Sequence, residues 1–362
     1  MRLLLALLLV ITTNTTTPVW SQTTSQPSGR NQSRSQAKNS DGPYVLWEGG
    51  RADVHWIKEG KHVMDSFVAP FALALPAFKA PIMLDGKPYP KAIDEVTRPQ
   101  KIFAISDVHG TFDVMRDLLI AHKVINKKNR WTFGKGHLVI AGDIADRGDH
   151  MTEAYWFIRA LEESAIRAGG GVHMIIGNHE AMIMTGDYRY MNPYYANKVD
   201  GMPELGQLWG KQSEICRWLQ SRPMMIKLGN ILFVHGGIST EFMSRGLDKA
   251  IANKELRFLP REERNELDRF LLGNAGPLWY RGMILGDQQD SITTTDLEKI
   301  LTHFGVERIA VGHTTVLNSR AFHDGKVIAI DAGIQHGRSE GIYFKKKKIY
   351  SALGDGTRIE IR

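Results

Sequence analysis

The sequence predicts an α/β fold, and three observations support this prediction. Short apolar runs alternate with stretches whose apolar residues recur at helical spacing, which is the pattern of βαβ units. Polar loops follow the apolar runs directly, beginning after the run Lys101–Ile105. The chain has 362 residues, of which 43% are hydrophobic and 23% charged, so it contains enough apolar material for a core.

The predicted elements after residue 100 follow the order strand, helix, strand, helix, strand. The first helix is indicated by apolar residues at Met115, Leu118 and Leu119, and the second covers 153–167. No internal repeat interrupts this order. The predicted strands lie at 101–105, 137–141, 172–176, 231–234, 308–311 and 327–330.

The N-terminal part differs in composition from the rest. A positive start and an apolar run at 3–11 predict a signal peptide, and hence an exported protein that is periplasmic or secreted. A membrane anchor is the alternative, but a bilayer core needs roughly twenty apolar residues, and no later stretch is long enough either. A segment rich in Ser, Thr, Gln and Asn follows, which predicts disorder. The predicted domains are a signal peptide (1–21), a disordered linker (22–43), a small β-rich lobe (44–100) and the main domain (101–362).

Charge and cysteine content narrow the classes of partner. The formal net charge of +7 favours anionic partners. In the densest basic run, Lys345 to Lys348, we expect a solvated turn and no nucleic-acid surface, because no base-stacking aromatic residues alternate with the lysines. The single cysteine, Cys216, excludes an internal disulfide. It lies among apolar residues of helical spacing, which predicts a buried structural thiol and not a nucleophile.

Residues of metal-ligand type follow five of the predicted strands. Function in α/β sheets gathers at the carboxyl ends of strands, so we expect these side chains to meet at one rim. Each motif alone is a weak signal, but five in order, each directly after an apolar run, are improbable by chance. The residues of this type are Asp107 and His109, then Asp143 and Asp146, then Asn178 and His179, then His235, and last His313, and Arg147 directly follows Asp146.

These residue types suit the hydrolysis of a phosphate ester. The reaction near neutral pH needs a hydroxide, and a bound transition metal lowers the pKa of water from about 15.7 to near 7. Imidazole and carboxylate ligands favour Mn, Fe or Zn, whereas an all-oxygen site would favour Mg or Ca. A carboxylate placed between two ions can bridge them. The sequence therefore predicts two divalent transition-metal ions as cofactors.

The motifs resemble those of the calcineurin-like metallophosphoesterase superfamily, and within it the phosphoprotein phosphatase family. The resemblance spans about Ile102 to Asp331 and is strongest to the Shewanella-like branch, whose members are protein phosphatases, some favouring phosphotyrosine. It implies a four-layer αββα sandwich of two mixed β-sheets flanked by helices, with a dinuclear metal site at the C-terminal ends of the strands. The shared motifs are Asp-x-His-Gly at 107, Gly-Asp-x-x-Asp-Arg-Gly at 142, Gly-Asn-His-Glu at 177, His-Gly-Gly at 235 and Gly-His at 312.

The resemblance also implies a role for each site residue. His179 would protonate the leaving oxygen, and Asp146 would orient His179 and favour its protonated form. Arg147 would grip the phosphate bidentately, with Arg281 as a second phosphate clamp. A metal-bound hydroxide would attack phosphorus directly, without a phosphoenzyme. The ligands would be Asp107, His109 and Asp143 for the first ion, and Asp143, Asn178, His235 and His313 for the second.

Departures from the family pattern bear on specificity. Thr315 stands where the broader superfamily often has a second histidine, which favours the phosphoprotein phosphatase branch. The sequence Asp331-Ala332-Gly333 replaces the tyrosine-bearing loop of eukaryotic Ser/Thr phosphatases, which argues against Ser/Thr specificity. Two interpretations remain for residues 188–219: a wall for an aromatic phosphoester, or a packed helical insertion. The residues that suggest a wall are Tyr188, Arg189, Tyr190, Tyr194 and Tyr195.

Three functions are compatible with these residues. The favoured one is a metal-dependent phosphomonoesterase acting on phosphorylated proteins or peptides, phosphotyrosine included. The alternative is a small-molecule phosphoesterase acting on nucleotides or diadenosine polyphosphates. A non-catalytic binding protein of the same fold is least favoured, because His179 and all the ligand positions are intact.

Overall fold

The computed structural model describes residues 40–361 except 77, 79–80, 197–198, 256–257 and 287–290. The predicted signal peptide, and the predicted linker as far as residue 39, lie outside the described residues. The first strand begins at Ser40, within the range predicted as linker. No described helix is both long and apolar enough to cross a membrane.

The described residues form seventeen strands, ten α-helices and two short 3-10 helices. The strands are β1 (Ser40–Glu48), β2 (Arg51–Lys58), β3 (Lys61–Val68), β4 (Phe71–Leu73), β5 (Ile82–Leu84), β6 (Glu95–Val96), β7 (Lys101–Ile105), β8 (His137–Ile140), β9 (Gly171–Met174), β10 (Met225–Leu228), β11 (Ile231–Val234), β12 (Arg308–Val311), β13 (Arg320–Phe322), β14 (Val327–Ala329), β15 (Glu340–Lys345), β16 (Lys348–Leu353) and β17 (Arg358–Ile361). The helices are α1 (Phe112–Ala121), α2 (Met151–Arg167), α3 (Asn178–Met184), α4 (Pro193–Ala196), α5 (Leu205–Leu208), α6 (Glu214–Leu219), α7 (Thr240–Ser244), α8 (Lys249–Glu255), α9 (Glu266–Leu271) and α10 (Thr294–Phe304), and the 3-10 turns are Arg261–Glu263 and Ile334–His336.

Two six-stranded sheets form the centre of the molecule. The first has the order β17-β16-β15-β7-β8-β9, and the second has the order β13-β14-β12-β11-β10-β6. Strands β7, β8 and β9 are parallel, whereas β15 is antiparallel to β7. In the second sheet β11, β12 and β14 are parallel. Strand β10 is antiparallel to β11 and parallel to β6, and β13 is antiparallel to β14. Both sheets are therefore mixed, as the resemblance implied.

The alternation of side chains along the strands explains how the sheets stack. On β7, Ile102 and Ala104 belong to a cluster made of strand and strand-end residues from both sheets, while Phe103 and Ile105 face the helices. The sheets contact each other directly, because the Phe233 and Phe344 rings lie 5.8 Å apart. Helices α1, α2 and α10 bury their apolar residues in a second apolar cluster, the one that contains Phe103 and Ile105. These layers make the αββα sandwich.

The N-terminal strands form separate sheets beside the sandwich. Strands β1, β2 and β3 are antiparallel, and β4 pairs with β5. Trp156 of α2 donates its indole hydrogen to the Pro43 carbonyl at 2.8 Å. Trp47 of β1 donates to Glu214 of α6 at 2.6 Å. The tryptophans therefore join this sheet to the helices over the first central sheet.

Element boundaries differ from the prediction mainly where strands run into site loops. The third strand was predicted to reach residue 176 but ends at Met174. Ile176 leaves the strand ladder and donates its N–H to Pro223, because the chain turns there toward Gly177. Strands β10, β13, β16 and β17 were not predicted. The lysine run forms the exposed hairpin between β15 and β16, where Lys345 pairs with Lys348.

Candidate metal centre

The structure brings the six predicted metal ligands together where the central strands end. Loops after β7 and β8 carry three of them, the start of α3 carries Asn178, and the ends of β11 and β12 carry one histidine each. Every one of these side chains is at most 6% exposed. These six predicted ligands are Asp107, His109, Asp143, Asn178, His235 and His313.

Asp143 lies at the centre of this set. Its Oδ2 is 3.6 Å from His109 Nε2, 3.9 Å from His179 Nε2 and 3.2 Å from His235 Nε2. Two groups of potential ligand atoms share it: one adds His109 and His179, and the other adds His235 and His313. A carboxylate common to both groups is placed to bridge two cations.

Asp107 and Asn178 complete the set from its edges. Asp107 Oδ1 is 3.9 Å from His109 Nε2, while its Oδ2 accepts the N–H of His313 at 2.9 Å. Asn178 Oδ1 lies 2.8 Å from His235 Nε2. Asp107 lies outside both groups of converging atoms, in one of which His179 appears instead.

The histidine nitrogens fit a divalent transition metal. His109 Nδ1 lies 2.7 Å from the Ala145 carbonyl, and His235 Nδ1 lies 2.7 Å from that of Ala141. Each carbonyl accepts a hydrogen from Nδ1, so Nε2 keeps its lone pair for a ligand. The Nε2 atoms of His109 and His313 are buried and have no hydrogen-bond partner among the described residues. Burial lowers the pKa of His109 to about 3 and that of His313 to about 2, which keeps both imidazoles neutral.

The charges at the centre also favour a cation. Burial would raise the pKa of Asp143, but the neighbouring imidazoles, His235 foremost, hold it well below its usual range. Burial would lower the pKa of His235, but Asp143 raises it to about 10. In the absence of metal the two form an ion pair, so a metal ion and a proton compete for the same nitrogen.

Asp331 is a further buried carboxylate at the site, and sequence reasoning did not assign it there. It is 1% exposed, and its Oδ2 accepts the Thr315 hydroxyl at 2.6 Å while Oδ1 accepts the Gly333 N–H at 2.9 Å. Burial, and after it the charge of Asp331, raises the pKa of Asp107 well above its usual range. The only signal in the sequence was that both Thr315 and Asp331 depart from the family pattern.

Next to the ligands, His179 forms a pair with Asp146. The His179 Nδ1–H donates to Asp146 Oδ2 at 2.6 Å, and Asp146 is fully buried. The other ring nitrogen, Nε2, lies 3.4 Å from Nη2 of the exposed Arg147. The imidazole edge and the guanidinium therefore converge on one spot beside Asp143.

Left-handed backbone positions the site residues. Six of the twelve described non-glycine residues with positive φ belong to the predicted site, with φ between 45° and 70°. Each such residue costs on the order of 1–3 kcal/mol and persists only where its surroundings hold it. The six are Asp107, His109, Asp143, Asp146, Arg147 and His313.

Glu180 supplies much of that support, and sequence reasoning assigned it no role. Its Oε1 accepts the N–H groups of Ile144 and Ala145 at 2.8 and 3.1 Å and the Tyr155 hydroxyl at 2.8 Å. Its Oε2 accepts the N–H groups of Asp143 and Gly177 at 2.8 and 2.9 Å. A glutamate three residues after a helix cap is a capping-box signal, but its contact with a loop some 35 residues earlier is not local.

Gly177 and Gly312 allow the loops to approach each other. A Cβ on Gly177 would overlap the Asp143 carboxylate, and one on Gly312 would overlap the Ser106 hydroxyl. Any side chain at either position would push a ligand loop outward.

Arg281 contacts the site through the backbone. Its Nη1 donates to the His313 carbonyl at 2.7 Å. The preceding Trp279 has its ring 5.5 Å from the His313 ring, edge to face. Arg281 therefore braces the His313 loop, and its predicted role as a phosphate clamp remains a prediction.

The segment 188–219 fits both earlier interpretations in different parts. Tyr190 is 46% exposed and its ring lies 5.3 Å from that of His179. Tyr195 is buried, and its hydroxyl accepts the Met151 N–H and donates to the Asp149 carbonyl, both at 2.9 Å. The segment also contains the short helices α4, α5 and α6. Cys216 of α6 is buried, and burial raises its pKa to about 12.

A cavity of about 930 Å³ opens beside the centre. Asn178 lines it, as do Tyr190 and Trp279, each of which contacts a site histidine. A molecule in the cavity would therefore reach the metal ligands.

An αββα sandwich that gathers buried aspartates, histidines and an asparagine at its strand ends defines a metal-dependent phosphoesterase. The family model of the calcineurin-like phosphoesterases matches residues 100–317, and the chain belongs to this family. It is a metallophosphoesterase, a hydrolase of a family that uses divalent metals.

Individual relatives resemble the chain to different extents. The structure of a cold-active protein-tyrosine phosphatase of a psychrophilic Shewanella species superposes with a TM-score of 0.81 at 34% identity, covering 90% of this chain and 100% of that one. The Shewanella-like protein phosphatase 2 of Arabidopsis thaliana is 24% identical over 298 residues, which is 68% of this chain and 74% of that protein. A symmetrical bis(5'-nucleosyl)-tetraphosphatase of Neisseria meningitidis is 24% identical over 181 residues, 50% of this chain and 59% of the relative.

Proposed function

We propose that the chain is a protein phosphatase whose substrates include phosphotyrosine. One observation carries this proposal: the His179–Asp146 pair and Arg147 converge beside the metal ligands, with the exposed ring of Tyr190 next to His179. An aromatic ring there can pack against the ring of a tyrosyl phosphate. Similarity to the Shewanella tyrosine phosphatase over nine-tenths of the chain supports the same substrate.

In this proposal His179 delivers a proton to the leaving tyrosyl oxygen. The bond from Nδ1 to Asp146 fixes the ring so that Nε2 faces the substrate. General acid catalysis of this kind contributes typically a hundredfold to ten-thousandfold in rate. Arg147 is exposed and close to Nε2, so its guanidinium can hold phosphate oxygens by two parallel hydrogen bonds.

The proposed cofactors are two divalent ions, Mn, Fe or Zn. Asp107, His109 and Asp143 would hold one ion, and Asp143, Asn178, His235 and His313 the other. The converging atoms of His109, Asp143, His235 and His313 support this assignment, as do the His109 and His313 nitrogens, which have no hydrogen-bond partner among the described residues. Bound cations supply Lewis-acid stabilisation of the phosphoryl group and acidify water.

A side-by-side assay tests the proposal. The purified chain is stripped with a chelator, supplied with Mn, Fe or Zn in turn, and given a phosphotyrosine peptide, the same peptide with phosphoserine, and diadenosine tetraphosphate. We expect metal-dependent hydrolysis with the highest kcat/KM for the phosphotyrosine peptide. Hydrolysis of none of the three with any metal would refute the proposal.

Hydrolysis of diadenosine polyphosphates is the second candidate. The tetraphosphatase relative favours it, as does a cavity large enough for a nucleotide. A kcat/KM for diadenosine tetraphosphate above that for both peptides would establish this activity in place of the first.

Export is a further proposal, and it rests on the apolar segment at 3–11. Expression of the full chain in a bacterial host should give a mature N-terminus near residue 22 by mass spectrometry of the exported fraction. An intact Met1 on protein that stays in the cell would contradict it.

A further inference from the structure

One wall of the cavity beside the metal centre carries an excess of positive charge. Four arginines line the cavity, against one carboxylate, that of Asp187. Glu262 and Glu263 are neighbours of these arginines in sequence but do not line the cavity. The four arginines are Arg189, Arg261, Arg264 and Arg269.

Within the described part of the chain, Arg189 is the one arginine of these four that forms an ion pair. Arg189 binds Asp187 through two hydrogen bonds, Nε to Oδ1 at 2.8 Å and Nη2 to Oδ2 at 2.6 Å. Among the described residues, no carboxylate lies within 4.0 Å of the other three guanidinium groups. Four arginines and one aspartate leave the lining with a net charge of +3. We call Arg261, Arg264 and Arg269 the arginine wall.

The arginine wall lines the cavity that leads to the metal centre, where the substrate phosphate would react. Asn178, a predicted metal ligand, lines the cavity together with the wall. Tyr190, which contacts His179, lines it as well. An anion held by the wall can therefore be part of the molecule whose phosphate lies at the metal centre. Guanidinium groups match carboxylates and phosphates in geometry, and both are bound bidentately.

We propose that the arginine wall binds a second anionic group of the substrate, so that the preferred substrate is an acidic phosphopeptide. This inference rests on the proposed protein phosphatase activity and names the sequence that this activity prefers. The cavity of about 930 Å³ is larger than one tyrosyl phosphate needs, and the remaining space suits the residues that flank it. Their anionic group is either a carboxylate or a second phosphate, which Arg side chains bind by the same chemistry.

The experiment compares three phosphotyrosine peptides of equal length. One carries Glu at the two positions on each side of the phosphotyrosine, one carries Gln there, and one carries a second phosphate on a flanking serine. Each is assayed at low salt with the wild type and with the triple variant Arg261→Gln, Arg264→Gln, Arg269→Gln. The control variant Arg51→Gln, Arg130→Gln, Arg320→Gln removes the same charge at exposed positions outside the cavity.

The wild type should prefer the Glu peptide to the Gln peptide by about tenfold in kcat/KM, since each exposed ion pair contributes little and three act together. The wall variant should lose this preference through a higher KM, and the control variant should keep it. Turnover of p-nitrophenyl phosphate, which has no flanking residues, should be unchanged in the wall variant and shows that it is folded. Whichever of the Glu and bisphosphorylated peptides loses more in the wall variant identifies the anionic group.

Failure of this inference differs from failure of the proposed function. If the wild type hydrolyses the Gln peptide as fast as the Glu and bisphosphorylated peptides, the phosphatase activity stands and the inference is overturned. An equal loss on all three peptides in the wall variant overturns it as well. Diadenosine tetraphosphate is assayed with the same variants; a loss in the wall variant confined to this substrate would assign the wall to a phosphate chain and overturn the inference. Hydrolysis of no peptide at all refutes the proposed function itself.

Discussion

We call the predicted metal ligands, together with the buried residues that hold them, the metal rim. The metal rim and the arginine wall adjoin at Asn178 but are built in opposite ways. The ligands of the rim are almost completely buried, and several adopt left-handed backbone that surrounding hydrogen bonds hold in place. The wall consists of side chains at the surface of an open cavity, with a single ion pair at its edge. Changes in the rim should therefore alter stability, metal binding and turnover, whereas changes in the wall should alter only the choice of substrate.

The largest effect is expected where the rim is held together. Glu180→Ala removes the acceptor of four backbone N–H groups and one hydroxyl, all buried. Unsatisfied buried donors cost about 1–3 kcal/mol each, so the free energy of unfolding should fall by roughly 4 kcal/mol or more. Urea unfolding measures this. Glu262→Ala, an exposed change near the wall, should stay within about 0.5 kcal/mol; similar losses in both variants would remove the contrast between rim and wall.

The next effect concerns the proton donor. His179→Asn should lower kcat for a phosphotyrosine peptide by about a thousandfold. The loss should be smaller for p-nitrophenyl phosphate, because its leaving group needs no proton. His323→Asn, which changes a histidine bonded to the Met283 carbonyl, serves as the control and should leave kcat unchanged. An equal loss on both substrates would show that His179 acts on the metal centre and not as an acid.

The sequence predicted the rim better than the wall, for a physical reason. Asp107, Asp143 and His235 each follow a buried strand directly, so local pattern and sheet geometry together place them. The wall could not be predicted, because Arg261, Arg264 and Arg269 are far from Asn178 in the chain and line the same cavity only through tertiary packing.

The same distinction applies to the two residues missed in the rim. Glu180 supports a loop that comes before it in the sequence, and Asp331 comes close to Asp107 only when the two sheets face each other. The ends of β8, β9 and β14 were predicted slightly long, because buried residues continue past the last strand residue into the site loops.

Asp331 tests how far the rim extends. Asp331→Asn removes one of three neighbouring buried carboxylates while keeping the shape of the side chain. Residues that orient or balance metal ligands typically change metal affinity by 10–100-fold, and we expect a loss of about tenfold. The metal-free protein should not lose stability, because a like charge has been removed. Competition with a chelator measures the affinity, and Asp324→Asn, in an exposed turn, is the control.

Another effect lies outside both regions and concerns acid stability. Burial lowers the pKa of His173 to about 3, and its Nε2 lies 2.9 Å from Nδ1 of His137 on the neighbouring strand. Because the unfolded chain binds a proton near pH 6.5 and the folded one does not, stability falls as the pH drops from about 6.5 toward 3. From pH 7 to pH 5 this residue should cost about 2 kcal/mol.

The variant His173→Gln isolates this contribution from that of the other histidines. Its free energy of unfolding, measured in urea without metal, should depend less on pH than that of the wild type by the same amount. Parallel pH profiles would show that acid sensitivity arises at other titratable groups and not at His173.

The most direct test of the central claim combines metal content and turnover in Asp143→Asn. The bridging position predicted for Asp143 requires that the wild type bind two divalent ions per chain. The variant should lose bound metal and retain no more than about a thousandth of kcat on the phosphotyrosine peptide, with its fold intact by circular dichroism. Near-normal turnover, or an unchanged content of two ions, would contradict the assigned metal centre.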